Sequence, residues 1–380
     1  MLYKPEAFEQ LTEEPWDVAR VLDRIRAIVD GTEAAHDSGT LWPAQEWDSF
    51  RANLPLATLY AGASGVVWAL DRLGSEMDLA APAMRAVEKW RENPDSTDPK
   101  AQRGLYFGES GILFVAWKMT RDAALADDLY ARVQENTDHE SNELMHGSPG
   151  TMLIAKAMLD ATGEERWADV WRESAEILWE RRDENRLWPY PPYGPGFGAA
   201  HGAPTNASVL LQGDGLLDPE RREAVARDTA AALARFAVIE DGRANWPLAL
   251  GEDLEADDGQ IRLQWCHGAA GVVASAAAFL DEGLLLAGAE LCWQAGPPNL
   301  DKGYGLCHGT AGTGYAYLKT FERTQDDRWL EQARRFAVHA LEQVERLPPR
   351  YSLMTGSVGA ALFAADCLEA RPTVPIVDVL

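Results

Sequence analysis

Two short strings place a thiol beside an imidazole just ahead of a glycine turn: Trp265-Cys266-His267-Gly268 and Leu306-Cys307-His308-Gly309. A thiol at a helix N-terminus has its thiolate form favoured by the helix dipole, and thiolates with neutral imidazoles are the preferred ligands of Zn²⁺. Two such turns side by side can supply three ligands. Their separation of 41 residues matches no standard zinc-finger spacing. Metal binding therefore stands against a simpler reading, in which each cysteine packs as a small hydrophobe at a tight helix start.

A third turn, Ala199-Ala200-His201-Gly202, puts His201 where the two Cys-His pairs stand elsewhere. A titratable ring there is a candidate general acid or base. His146, just before Gly147, has the same placement. Taken alone, either is most simply a structural hydrogen-bonding group. Arg262 stands four residues before Cys266, Glu143 four before Gly147 and Lys302 five before Cys307. Each can reach a cleft from the loop leading into a helix, although a lone charged loop residue is ordinarily solvated. Cys292 and Cys367 lie in apolar helical stretches and read as core. A sugar-processing enzyme would instead need two carboxylates facing each other. Glu109, Glu143 and Asp253 are available for that, but nothing marks any two of them as a pair.

The elements that must position these groups come from a repeat. Gly-x-x-Gly turns begin at Gly62, Gly108, Gly147, Gly268, Gly309 and Gly356, and Gly202-Ala-Pro-Thr205 is a degenerate seventh copy. Successive first glycines are 46, 39, 55, 66, 41 and 47 residues apart, room for one helical hairpin each. After each turn comes an apolar run such as ILFVAW or VVASAAAFL, expected as a buried helix. Between them lie amphipathic segments such as 164–180 and 327–345, expected as outer helices with one wet face. The expected fold is all-α, an α/α toroid of seven inner and seven outer helices, with an open superhelical array as the other possibility. Glycine at each inner start relieves crowding near the axis, and the inner N-terminal dipoles then point at one central cleft. We expect residues 1–380 to form a single domain, with 1–55 as a lead-in carrying the first outer helix. The Pro/Gly-rich stretch 188–204 is expected as a loop over the cleft.

Composition narrows the function. Hydrophobic residues make up 46% and charged residues 25% of the 380, which excludes wholesale disorder and fibrous repeats. The formal charge of −25 repels nucleic acids and anionic membrane surfaces, so neither is an expected partner. Residues 1–10 lack the apolar core of a signal peptide, and no run reaches the ~18 apolar residues that span a bilayer. A cytoplasmic location is expected, with the four cysteines reduced.

The repeated turns, Trp265-Cys266-His267-Gly268 and the string Lys302-Gly-Tyr-Gly-Leu-Cys307-His308-Gly309-Thr-Ala-Gly312 together resemble the lanthionine synthetase C-like family. The likeness runs from about Leu59 to Leu368, and Asn142-Glu143-Leu144 brings it closer to the stand-alone eukaryotic-type members than to dedicated lantibiotic cyclases. It implies the seven-plus-seven toroid and one zinc ion per chain held by Cys266, Cys307 and His308. It implies His201 as acid/base, Arg262 and Glu143 near the reacting centre, and Lys302 at a position associated with glutathione binding. The implied reaction adds a thiol, from a peptide cysteine or glutathione, to dehydroalanine or dehydrobutyrine. Zn²⁺ with two thiolates and one neutral imidazole is neutral overall and leaves a position for a substrate thiol. Attack at the β-carbon develops an enolate, which Arg262 can stabilise and His201 protonate. A separate dehydratase or spontaneous phosphate loss would supply the acceptor. A sugar epimerase or hydrolase on a similar toroid, or a non-catalytic zinc- and glutathione-binding protein, are the competing functions.

Overall fold

Each of the seven glycine turns opens an α-helix in the computed structural model, which describes residues 1–46, 48, 52–191 and 194–380. The inner helices are α2 (Ala63–Arg72), α4 (Glu109–Thr120), α6 (Ser148–Thr162), α8 (Ala203–Gln212), α10 (Ala269–Ala276), α12 (Thr310–Thr324) and α14 (Ser357–Leu368). Alternating with them are the outer helices α1 (Val18–Ala34), α3 (Ala80–Glu92), α5 (Ala123–Glu135), α7 (Glu165–Glu180), α9 (Pro219–Phe236), α11 (Glu282–Ala295) and α13 (Asp327–Arg346). Every inner helix packs on the next, and α14 packs back on α2, so the ring closes. An open superhelix would leave its two ends apart. The outer layer closes where α1 lies against α13 and α14. The fold is all-α; the strands among the described residues are two short hairpins, Pro189–Tyr190 with Gly194–Pro195 and Val238–Glu240 with Arg243–Asn245.

The two layers start differently. Asp17, Asp122, Asp218, Asp281 and Asp326 cap five outer helices with side-chain hydrogen bonds. All seven inner helices instead have a glycine N-cap and no side-chain cap. Space decides this. A Cβ on Gly312 would overlap Leu306 O of its own loop and stand 3.0 Å from the Trp265 Cβ of the preceding copy. One on Gly65 would overlap Leu59 O and stand 2.9 Å from the Leu353 Cβ, across the point of ring closure. The second glycine of a turn is therefore where one copy seats its loop against the next. Thr205 breaks the pattern without breaking the register: Gly202 still caps α8, and the buried Thr205 hydroxyl donates to Ser275 Oγ on α10 at 3.0 Å.

The helix faces follow the patterning. On α7, Trp167, Val170, Trp171 and Leu178 are buried, and on α13 so are Leu330, Ala333, Ala337 and Leu341. Seven tryptophans, Trp68, Trp167, Trp171, Trp188, Trp246, Trp265 and Trp329, are among the largest fully buried side chains. They are hairpin packing, each removing of the order of 200 Å² from water. At the C-terminal ends of the inner helices, Ile376 and Val377 are buried. That segment is tied by Gln212 Nε2 to Val377 O at 3.1 Å and by the Lys319–Asp378 ion pair at 2.9 Å. Among the described residues, no helix is long and apolar enough to cross a membrane.

Candidate metal centre

The repeat brings seven equivalent residues to one end of the ring, each two positions before a first glycine: Tyr60, Tyr106, Met145, Ala200, Cys266, Cys307 and Met354. Their backbones hydrogen-bond around the mouth. Tyr106 N donates to Met145 O, Tyr60 N to Tyr106 O and Met354 N to Tyr60 O; Cys307 N donates to Met354 O, Cys266 N to Cys307 O and Ala200 N to Cys266 O. This girdle makes Cys266 and Cys307 neighbours although 41 residues separate them. The next residue of each copy is Ala61, Phe107, His146, His201, His267, His308 or Thr355, so four successive copies present an imidazole.

Cys266 Sγ, Cys307 Sγ and a His308 ring nitrogen lie within 4.8 Å of one another, with His308 Nε2 at 3.7 Å from Cys307 Sγ. Tetrahedral Zn²⁺ with Zn–S of about 2.3 Å and Zn–N of about 2.0 Å sets its ligands roughly 3.5–4 Å apart, so the donor set fits after a small contraction. Burial opposes ionisation of Cys266, but the hydrogen bond from Cys307 and the fields of His308 and His267 bring it well below the ordinary thiol value. Cys307 is correspondingly pushed up, by burial and by its neighbour. Gln264 Nε2 donates to Cys266 Sγ at 2.9 Å, and the Tyr60 hydroxyl bonds Cys307. Such bonds orient thiolates and tune them. Cys292 and Cys367 are core residues, driven up by burial alone or nearly so. His267 stands beside the donor set and outside it.

The girdle is interrupted between Met145 and Ala200, where a carboxylate takes over. Met145 N donates to Glu143 Oε2 and His146 N to Oε1, both at 2.8 Å. His146 Nδ1 lies 3.1 Å from Oε1 and His201 Nδ1 2.8 Å from Oε2. Glu143 is wholly buried. Burial raises its carboxyl pKa, but the bonds from His146 and His201 outweigh it and hold the group far below the usual carboxylate range. The same pairing raises His201 against its own desolvation. With Nδ1 directed at Glu143, His201 turns Nε2 to the other side, and its ring stacks on Tyr190 at 4.9 Å and on His267 at 5.5 Å. Glu143 thus lies behind the histidines, where the sequence suggests a charged side chain at the mouth. Four donors on one carboxylate make that burial affordable.

His201, Arg262, Lys302, Cys266, Cys307 and His308 line one cavity of about 300 Å³, with Tyr60, Phe107, Met145, Ala200, Gln264 and His267 completing its wall. Arg262 reaches it already engaged, its guanidinium bonded to Asp258 and Gln260. The carboxylates considered for sugar chemistry are elsewhere: Glu109 is paired with Arg132 at 2.8 Å, Glu143 is behind the histidines and Asp253 is exposed. Sequence reasoning missed Tyr60, Gln264, Phe107 and Tyr190. The register of the repeat would have found Tyr60 and Phe107, which occupy the Cys and His positions of other copies. Tyr190 lies in the 188–204 stretch, where it stacks on His201; residues 192 and 193 of that stretch lie outside the described residues.

A closed helical toroid with a thiol–imidazole donor set at its mouth is the class these features define. The chain belongs to the lanthionine synthetase C-like protein family, whose sequence profile matches residues 56–379. It is 31% identical over 231 residues to "Glutathione S-transferase LANCL1" of Danio rerio, covering 56% of this chain and 53% of that one. The chain thus spans about half the length of this curated relative. Among solved structures, nisin cyclase superposes with a TM-score of 0.64 at 15% identity, covering 92% of this chain and 93% of that one. That likeness is one of fold. A sugar epimerase from a ruminal bacterium aligns over 92% of this chain and 98% of its own at 12% identity, with a TM-score of 0.45.

Proposed function

We propose that this protein is a zinc-dependent carbon–sulfur bond-forming enzyme that adds a thiol to dehydroalanine or dehydrobutyrine in a peptide or protein. The observation that carries it is the Cys266–Cys307–His308 donor set with the Glu143-bound His201 in the same cavity. Cys266, Cys307 and His308 would hold the ion, and bound zinc supplies a site that lowers the pKa of a substrate thiol and keeps it nucleophilic. His201 offers Nε2 as the proton donor to the α-carbon after sulfur has bonded to the β-carbon. The thiol hydrogen is thereby replaced at the α-carbon with no net loss. Glu143 fixes the His201 tautomer and stabilises its cationic form. Arg262, once released from Asp258, would meet negative charge developing on the acyl oxygen.

Family membership and the glutathione-named relative support glutathione as the thiol donor, with a peptide cysteine as the other choice. Lys302 would bind a donor carboxylate. The acceptor requires dehydration by a separate enzyme or spontaneous phosphate loss. A reducing compartment such as the cytoplasm suits four free thiols. The adjoining cavity, which shares Tyr60, Phe107 and His308, carries two carboxylates, but Asp95 is paired with Lys89 and Asp48 accepts from Ser352 and Thr355, which disfavours a glycosidic acid–base pair. Incubating the zinc-loaded protein with glutathione and a dehydroalanine peptide tests the proposal. The peptide should gain the mass of glutathione, and His201→Ala should abolish the gain while retaining zinc. A gain no faster than without protein would reject catalysis and leave a zinc- and glutathione-binding protein.

A further inference from the structure

Arg262 faces the cavity with its charge already answered from inside the chain. Its Nη2 bonds Asp258 Oδ2, and its Nη1 lies 3.3 Å from Asp258 Oδ1 and 3.0 Å from Gln260 Oε1. The carboxylate is carried by a tight hairpin. Glu255 bridges Ile261, Ala256 N donates to Gln260 O at 3.0 Å and Gly259 N to Ala256 O at 2.8 Å. Asp258 Oδ1 also accepts from Gln260 N at 3.1 Å. From the far side Lys4 clasps the hairpin, with Nζ 2.9 Å from Glu255 Oε1 and bonded to Gly259 O.

Asp258 is also within the field of Lys302, which adds to the larger effect of Arg262 in keeping its carboxyl below the ordinary value. Lys302 itself has no ion pair among the described residues. One carboxylate of the chain thus bonds one cation of the cavity, Arg262, and feels the field of the other, Lys302. The exposures are unequal: the Asp258 side chain is 49% exposed and the Arg262 side chain 21%. Exposed ion pairs are weak in water, and the exposed member is the one a competitor can replace. A ligand carboxylate entering the cavity offers Arg262 the same two-oxygen contact in a drier place and can reach Lys302 as well.

We propose that Asp258 is a stand-in for a ligand carboxylate: it holds Arg262 at the rim and is displaced by an entering carboxylate, making it a specificity-determining residue that sets the threshold for acidic reactants. The inference rests on the reading that this cavity receives the reactants. The carboxylate can belong to the thiol donor or to an acidic residue beside the dehydroamino acid, and the experiment separates these sources.

The test is calorimetric titration without turnover, on the wild type, Asp258→Asn and the double variant Asp258→Asn/Arg262→Gln. Asparagine keeps an oxygen for Gln260 N, so the hairpin retains its bond. The probes are glutathione, its diethyl ester, and dehydroalanine peptides with a neighbouring Glu or Gln. Asp258→Asn should bind glutathione roughly two- to five-fold more tightly, the scale set by one exposed ion pair. The diester should be unaffected, and the gain should vanish in the double variant. A gain confined to the Glu-containing peptide would support the stand-in role and assign the carboxylate to the acceptor. Equal or weaker binding of every carboxylate probe by Asp258→Asn would overturn the stand-in role alone. No binding of any probe to either protein would overturn it together with the reading of the cavity.

Discussion

His201 Nδ1 lies 2.8 Å from Oε2 of Glu143, a carboxylate with no exposure to solvent. The two residues come from loops 58 positions apart and meet because copies three and four of the repeat are neighbours in the ring. The bond settles what each can do. Glu143, ionised and enclosed, cannot leave its partners, and His201 is left with one nitrogen for chemistry. His201 lines the same cavity as Cys266 and Cys307, so an imidazole held by a buried carboxylate stands beside two thiols.

Replacing Glu143 tests the bond. A glutamine side chain there would turn an amide N–H toward groups that already donate, so Glu143→Gln should cost about 1–3 kcal/mol of stability. Thiol addition should fall by about 10²-fold or more as His201 loses its orientation. Urea unfolding and the adduct rate check the two parts, and zinc content should be unchanged.

The pH dependence has a defined sign. Glu143 has a folded pKa far below the unfolded value of 4.5, so its stabilisation is present above about pH 4.5 and is lost as pH falls toward the folded value. His201 has a folded pKa above its ordinary 6.5, so its share is present below about pH 6.5 and is lost as pH rises through the folded value. The excess stability of wild type over Glu143→Gln should be greatest between about pH 4.5 and 6.5, shrinking on both sides. Thermal unfolding of both proteins across about pH 3–9 measures it.

Two glycine substitutions should act in opposite directions. Gly312→Ala forces a Cβ onto Leu306 O and toward Trp265, and should destabilise by about 1–3 kcal/mol. Gly31→Ala, in helix α1 with nothing within 4 Å of the added Cβ, should stabilise by roughly 0.5–1 kcal/mol. Denaturant midpoints give both signs.

Much of the fold is legible because its driving contacts recur. Glycine pairs followed by apolar runs identify the inner helices, and seven copies suffice to close a ring. Even the degenerate copy is readable, since Gly202 keeps its cap and only Thr205 departs, finding Ser275 as partner. The candidate site is legible where the repeat register brings its residues to one cavity, at Cys266, Cys307, His308 and His201. Glu143 shows the limit: in sequence it is a charged loop residue, and only the ring reveals that His201 meets it from the next copy. Arg262 shows another, because Asp258 sits one hairpin turn away and nothing in the spacing says that the two will pair. Gln264 and Tyr60 act by approaching sulfur, which composition and period do not encode.

The most direct test of the centre is the zinc content of the protein, purified without chelator, by elemental analysis beside the Cys266→Ala/Cys307→Ala variant. Three ligands from two adjacent turns predict about one zinc per chain in the wild type and none in the variant. A wild type without zinc, or a double variant that keeps it, would contradict the account.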